Sequence, residues 1–379
     1  MNIAIIGRGT SAIITALICI HNGHKITFFF DPNIPHLSVG ESTTPWIPKL
    51  ITEVLGISTH DLIKEGIASY KMGINFVDWG CNKQFYHSFG SGNHAIQFDS
   101  KIFNEFIHNN LSITNRATYV AKRIDKVDHL LKDFDFVINC CGWEDKSSYL
   151  EPVFKSVNSC SVFKEEIDYY KHNQTLHTLH KATEDGWQFG IPFPDRNILK
   201  CGYLFNSEYI SDDDVKKKLN KEVTKTFHWE QRYAKEFLLN KNVAINGNRL
   251  FFFDPLQALS LAFMYLFANF ICDYLREPSE VNRRLLNSRY LTEMWIHQLI
   301  LAYHYQYGSN FNSEFWNKTS KNAKDMMKYQ LNGVDEVLKY NIDLDSISNG
   351  NTSQSNIGIF TREDHIQLQI GLRGEKFLK

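Results

Sequence analysis

The chain has 379 residues, 43% of them hydrophobic, enough to bury a large core in more than one lobe, which excludes a chain disordered throughout. Its 41 Lys and Arg against 42 Asp and Glu leave a formal net charge of -1, so no whole-chain field favours nucleic acid or an anionic membrane over a small neutral partner. Seven cysteines without a CxxC pair, and a start at the strand-like MNIAIIG with no signal-length apolar segment, point to a reducing, cytoplasmic setting. The 15 histidines form no HExxH motif or compact ligand set, so no metal site is expected. The 28 Phe, 17 Tyr and 7 Trp supply flat surfaces for a core or a pocket wall.

Ile3 to Ile6 reads as a buried parallel strand, followed by the turn Gly7-Arg8-Gly9-Thr10-Ser11-Ala12 and an apolar helical segment through Ile20. A second strand, His24 to Phe30, ends at Asp31-Pro32 and completes one βαβ unit. A helix is expected over Ile47 to Leu55, a further segment from about Asp61, an extended run over Tyr70 to Trp79 and a helix over Asp99 to Asn109. Strands follow near Tyr119 to Ile124 and Phe134 to Cys140, the latter closed by Gly142. Residues 150 to 206 hold short strand candidates at Ser161 to Lys164, Thr175 to Thr183, Trp187 to Ile191 and Leu199 to Phe205, which read as an inserted sheet. The uncharged run Pro255 to Cys272 barely reaches spanning length and contains Gln257 and Asn269, so a buried helix is expected and no membrane span. From Leu261 the chain reads as mainly helical, through His297 to Tyr307 and Glu314 to Tyr329, before an Asn/Ser-rich loop at Ser346 to Asn356. The Asn351-Thr352-Ser353 triplet in that loop has the glycosylation pattern, with no chemical use absent export.

The glycine turn solves a geometric problem. Gly7 and Gly9 permit a sharp bend and close approach of a dinucleotide pyrophosphate, the helix beginning at Thr10 and Ser11 offers amide donors, and Ala12 still lets helix and strand pack closely. Asp31 ends the second strand where a carboxylate accepts from ribose hydroxyls; its other reading is a turn cap beside Pro32. An acidic residue there disfavours NADP but does not separate NAD from FAD.

Five later segments stand in a telling order: Val39-Gly40-Glu41-Ser42-Thr43-Thr44-Pro45, Tyr70-Lys71-Met72-Gly73-Ile74-Asn75-Phe76-Val77-Asp78-Trp79, Asp135 to Gly142, Gly186-Trp187-Gln188-Phe189-Gly190-Ile191-Pro192, and Gly247 to Ser260. Together with the turn they resemble the flavin-dependent tryptophan halogenase family, within the flavin monooxygenase-like FAD-binding superfamily. The resemblance implies an α/β fold: a Rossmann-like FAD-binding domain, an inserted substrate-facing sheet and a helical C-terminal region. It places the FAD module in 1–60, 90–145 and 235–275, the sheet region in 61–89 and 146–234, and the helical region in 276–379. It implies FAD supplied as FADH2 by a separate NAD(P)H-dependent flavin reductase, with oxygen and halide as cosubstrates and a small aromatic substrate. A homo-oligomer is left open.

The same resemblance assigns roles. Cofactor contacts fall on Gly7, Gly9, Thr10, Ser11, Ala12, Asp31, Gly40, Glu41, Ser42, Gly142, Gly247 and Asp254. Lys71 matches the transfer lysine, either polarising a hypohalous acid as ammonium or bonding halogen as amine. Trp187, Phe189, Ile191 and Pro192 match a bulky barrier between flavin and substrate. Gln257 stands where the family carries its catalytic glutamate, and an amide accepts no proton as a carboxylate does. Ala258, Leu259 and Ser260 replace the usual halide segment, though backbone amides survive substitution; bromide or iodide is favoured over chloride, being easier to oxidise. The competing readings are an aromatic flavin monooxygenase and a catalytically impaired FAD-binding protein.

Overall fold

The computed structural model describes residues 1–34, 40–90, 92–142, 148–168, 176–333 and 362–373. Val39, Thr175 and the Ser346 to Asn356 loop with its Asn351-Thr352-Ser353 triplet lie outside the described residues. Two units divide the chain: Met1–Tyr70, Ala95–Glu151 and Arg232–Thr292 form the first, and Lys71–His94, Pro152–Gln231 and Glu293–Lys379 the second.

The first unit is built on β1 (Asn2–Ile6), β2 (Lys25–Phe30), β8 (Ala117–Ala121), β9 (Phe136–Asn139), β17 (Leu238–Asn240) and β18 (Val243–Ile245). They lie in the order β17-β18-β9-β1-β2-β8, all parallel except the edge pair β17–β18. Ile3, Ala4, Ile5 and Ile6 are all buried, the signature of a central parallel strand covered on both faces. Helix α1 (Thr10–His21) follows β1, and α2 (Trp46–Leu55), α3 (Thr59–Lys64) and α4 (Ser100–Ile113) follow in turn. Asp99 starts α4 by accepting from the Lys101 and Ile102 amides at 2.9 and 3.3 Å. Two small sheets complete the unit, β3 (Gly40–Ser42), β7 (Ala95–Asp99) and β4 (Ala68–Lys71, of which the last residue falls in the second unit) in one, β10 (Tyr149–Leu150), β16 (Arg232–Ala234) and β19 (Phe251–Phe252) in the other.

The uncharged run becomes α6 (Leu259–Arg276). With its preceding turn it is long and apolar enough to cross a membrane. It packs within the first unit, where Ala262, Phe263, Phe267, Ala268 and Ile271 are fully buried. Phe267 touches the rings of Phe237, Phe251, Phe263, Phe270 and Tyr290 at 5.0 to 6.2 Å between centroids.

The second unit holds a seven-stranded sheet ordered β15-β11-β14-β13-β12-β5-β6. Its strands are β5 (Gly73–Val77), β6 (Gln84–Ser88), β11 (Ser159–Glu166), β12 (Thr178–Thr183), β13 (Gly186–Phe193), β14 (Ile198–Phe205) and β15 (Val223–His228). Only β12 and β5 pair in parallel. Helix α5 (Asp212–Leu219) packs on this sheet through Val215. Helix α7 (Glu280–Gln306) has residues in both units, divided after Thr292. Helices α8 (Glu314–Gly333) and α9 (Arg362–Arg373) belong to the second.

The α/β class with an inserted sheet and C-terminal helices is thus the fold the chain adopts. Local boundaries moved: the strand expected over Tyr119 to Ile124 runs from Ala117 to Ala121, and the helix expected from His297 begins at Glu280. Polar residues fill the first turns of α7, where Glu280 pairs with Arg283 and Arg284, so the apolar pattern starts late.

Phe267→Ala is expected to cost about 3–5 kcal/mol, because a buried ring is lost from a packed aromatic cluster. Urea denaturation followed by circular dichroism measures it; a loss under about 1 kcal/mol would contradict the packing account.

Candidate active site

In the first unit the glycine turn is held by its neighbours. The Gly7 amide donates to Phe29 O at 2.9 Å, and Gly7 has φ +122, with the Cys140 and Cys141 side chains beside the position a Cβ would take. Space is open where a Gly9 side chain would project. Gly247 has φ +72, and a Cβ there would collide with the Ser11 side chain, so the third glycine is required by both conformation and contact. Asn246 locks this junction, donating to Thr15 Oγ1 and to Met264 O, both at 3.0 Å, and accepting from Gly247 N at 2.8 Å. Arg249 Nη1 donates to Cys141 O at 2.6 Å, next to Gly142 with φ +50. Thus Gly7 to Ala12, Gly142 and Gly247, separated widely in sequence, are brought together at the C-terminal ends of parallel strands, where α/β sheets place ligands.

Glu41 lies on β3 opposite Phe98. Burial pushes its carboxyl up to about 7, with Asp99 adding and a Thr10 hydrogen bond opposing. Its Oε2, Arg8 Nε and Thr44 Oγ1 are buried without a hydrogen-bond partner among the described residues, and together with the open space at Gly9 they fit a dinucleotide laid on the turn. Asp31 Oδ1 accepts from Asn33 N at 2.9 Å and Asn33 Nδ2 at 3.1 Å, the turn-cap geometry, while Oδ2 lies 3.9 Å from Arg123 Nη1. Asp254 is fully buried and accepts from Leu256 N at 3.1 Å. After it, Gln257 and Ala258 both take left-handed backbone, φ +66 and +59, and lead into Leu259 and Ser260 at the head of α6. Two consecutive non-glycine residues in that region are strained by roughly 1–3 kcal/mol each.

In the second unit Lys71 is 1% exposed, and burial alone brings its ammonium down to about 7. Its Nζ lies 5.5 Å from the Phe89 ring centroid. The Lys-Met-Gly spacing is structural: a Gly73 Cβ would collide with His87 O and the Ser88 Cα and stand 3.1 Å from His177 Cδ2. Met72 bridges two strands, its amide donating to Leu176 O at 2.8 Å and its carbonyl accepting from Phe89 N at 3.0 Å.

Four histidines gather here. Burial and the Lys71 charge hold His177 below its ordinary value; burial, Lys71, His304 and His87 hold His180 well below. His180 packs 4.7 Å from Trp187 and 5.4 Å from Phe76, which also stacks on His304 at 5.7 Å. Trp187 and Phe189 are neighbours on β13 at 6.4 Å, and Gly202 makes room for the Phe189 ring. Ile191 and Pro192 are buried farther along the same strand. His87, His177 and His180 were missed in the sequence; the His177-Thr178-Leu179-His180 doublet just before the Gly186-Trp187 segment was the available signal.

A parallel sheet with a converging glycine turn, together with a second unit that begins at a buried lysine and carries an aromatic-lined sheet, defines an α/β protein with a dinucleotide-type glycine turn and an attached aromatic-rich unit. The tryptophan halogenase family model matches residues 2–112 and 132–375, and the chain belongs to that family. It is 31% identical over 106 residues to tryptophan 6-halogenase ThaL of Streptomyces albogriseolus, and 33% over 105 to tryptophan 7-halogenase RebH of Lentzea aerocolonigenes. Each match covers 23% of this chain and 20% of the relative, so about a fifth of the length of these curated relatives is spanned. Among solved structures, a tryptophan halogenase from Shewanella frigidimarina superposes with TM-score 0.79 at 16% identity, covering 98% of this chain and 88% of that one. BrvH, a flavin-dependent halogenase from Brevundimonas sp. BAL3, gives 0.77 at 17%, covering 98% and 89%. At these identities the superpositions show the shared fold.

Two outcomes follow from the geometry. Gly247→Ala is expected to destabilise the chain by about 1–3 kcal/mol, read as a lower urea midpoint, whereas an unchanged midpoint would remove the proposed contact with Ser11. Lys71 titrates near 7 when folded and near its ordinary 10.5 when unfolded, so between those pH values the unfolded chain binds the extra proton and stability rises with pH. Lys71→Met should raise the urea midpoint at pH 7 and lose that rise; equal midpoints for both proteins from pH 7 to 10 would contradict a buried, discharged lysine.

Proposed function

We propose that the chain is a flavin-dependent halogenase transferring an oxidised halogen to an electron-rich aromatic ring such as an indole, phenol or pyrrole. The observation carrying this reading is Lys71, which matches the family's transfer lysine by motif and is buried so that it exchanges its proton near neutral pH. A water-poor setting strengthens each contact it makes to a polar oxidant and limits escape of that oxidant.

The first unit would hold FAD, delivered reduced by a separate NAD(P)H-dependent flavin reductase: the Gly7 to Ala12 turn and the head of α1 toward the pyrophosphate, Asp31 toward the ribose, and Gly40, Glu41, Ser42, Gly142, Gly247 and Asp254 lining the cradle. Bound in reduced form, the cofactor supplies with dioxygen the oxidising equivalents that convert halide into a halogenating agent. Of the backbone amides of Ala258, Leu259 and Ser260 at the positive end of α6, the first two donate to Pro255 O and Leu256 O, so the Ser260 amide would be the halide donor that does not depend on a side chain. Trp187, Phe189, Ile191 and Pro192 serve as a bulky wall against water. Gln257, 5% exposed, orients by hydrogen bonding and takes no proton, which favours bromide or iodide and electron-rich rings. All seven cysteines are free thiols, in keeping with a cytoplasmic site of action.

Purified protein with FAD, a flavin reductase, NADH, oxygen and catalase is expected to add bromine or iodine to indole, phenol or pyrrole, detected by mass spectrometry. Lys71→Ala should lower that rate by about 10²–10⁴-fold. Oxygen incorporation without halide would instead mark an aromatic monooxygenase.

A further inference from the structure

We propose that His177 is the general base of this chain, its Nδ1 taking the ring proton released once halogen has bonded to carbon. The inference rests on the halogenase reading and deepens it, because Gln257 leaves that reading without a carboxylate to accept the proton.

The case is geometric. His177 stands immediately before β12, beside Gly73, whose missing side chain gives the imidazole its place. Its Nε2 lies 3.1 Å from Ser88 Oγ, and the ring of Tyr86 meets it edge-on at 5.0 Å. Nδ1 is buried without a hydrogen-bond partner among the described residues, although the residue as a whole is half-exposed. A buried imidazole nitrogen is costly to leave unfilled, so this one is addressed to a bound molecule.

Ser88 is itself fixed. Its amide donates to Gln367 Oε1 at 2.8 Å and its carbonyl accepts from Gln367 Nε2 at 3.1 Å, both from α9. One turn earlier in α9, Asp364 meets His87 Nε2 at 2.9 Å. Nε2 and Ser88 Oγ share a hydrogen bond in which either can donate; with Nε2–H as the donor, Nδ1 presents its lone pair, the arrangement of a base held by an orienting group. Burial, with a smaller contribution from Lys71 when it is protonated, holds the imidazole below its ordinary value and so leaves it neutral and able to accept. Among the described residues His180, set between Phe76 and Trp187, also feels Lys71, and His180 in turn feels His304 and His87, the latter paired with Asp364.

The step balances. The carbon–halogen bond forms as ring π electrons attack the halogen of hypohalous acid held by the Lys71 ammonium, the O–halogen bond breaking so that its electron pair and the ammonium's proton leave as water; the C–H bond at the same carbon then breaks, its electron pair restoring the aromatic ring and its proton passing to Nδ1. The protonated intermediate is strongly acidic, so a weak base suffices, and the half-exposed imidazolium returns the proton to water.

The test compares phenol and indole with their ring-deuterated forms, with bromide, FAD, flavin reductase and NADH, in the full-length protein and in His177→Gln and His177→Ala. Wild type should show an isotope effect near unity. Both variants should bind FAD normally by flavin fluorescence, slow by about 10²-fold or more, and develop a primary isotope effect. Added imidazole should restore His177→Ala, a response that a merely structural role does not give. Brominated product from wild type, with rate and isotope effect unmoved in both variants, overturns the base alone. Brominated product from neither ring with wild type overturns the halogenase reading and the base with it.

Discussion

Taking a primary ammonium out of water costs more than most folds tolerate, and the second unit is arranged around one at 1% exposure. The cost is met by discharge: the group gives up its proton near neutral pH. That condition accounts for the surroundings of Lys71. His177 and His180, both held below their ordinary values chiefly by burial, lie near enough to feel Lys71, and the Phe89 ring stands 5.5 Å from its Nζ. Gly73 between strands lets the His87–Ser88 backbone and His177 come close to the lysine's own strand.

The first unit meets a different constraint, that glycine backbone and open space must converge at the strand ends. Its solution spreads over the chain: the turn after β1, the end of β9 at Cys140 and Cys141, and Gly247 after β18. The parallel order β18-β9-β1-β2 puts the ends of these strands side by side. Asn246, with bonds to α1 and α6, makes the cradle a property of the packed core rather than of one loop.

Much of this was legible in the sequence. The first βαβ unit announced itself because uninterrupted apolar runs meet glycines at a fixed spacing, and β11 to β14 stood out as apolar segments between turn residues. What escaped had weak local signals. Helix α5 reads as charges around a single buried Val215, β7 is five residues long, and β16 to β19 are two or three residues each. Their pairing comes from tertiary context, which short segments do not encode. Lys71 was found by motif, yet His177 and His180 were not, because an i, i+3 pair on a strand end carries no period that marks a site. The Asp31 carboxylate shows the converse: both readings of it were available, and the turn-cap geometry is present in the folded chain.

The turn before α6 has an evolutionary corollary. Gln257 and Ala258 hold left-handed conformations although neither is glycine or asparagine, so the bend is imposed by what surrounds it, Asp254 included, rather than by the residues in it. A scaffold that dictates backbone independently of sequence leaves the side chain at that position exchangeable. Glutamate and glutamine share shape and backbone preference, so a carboxylate and an amide fit this corner alike, and its chemistry can change while the architecture stays still.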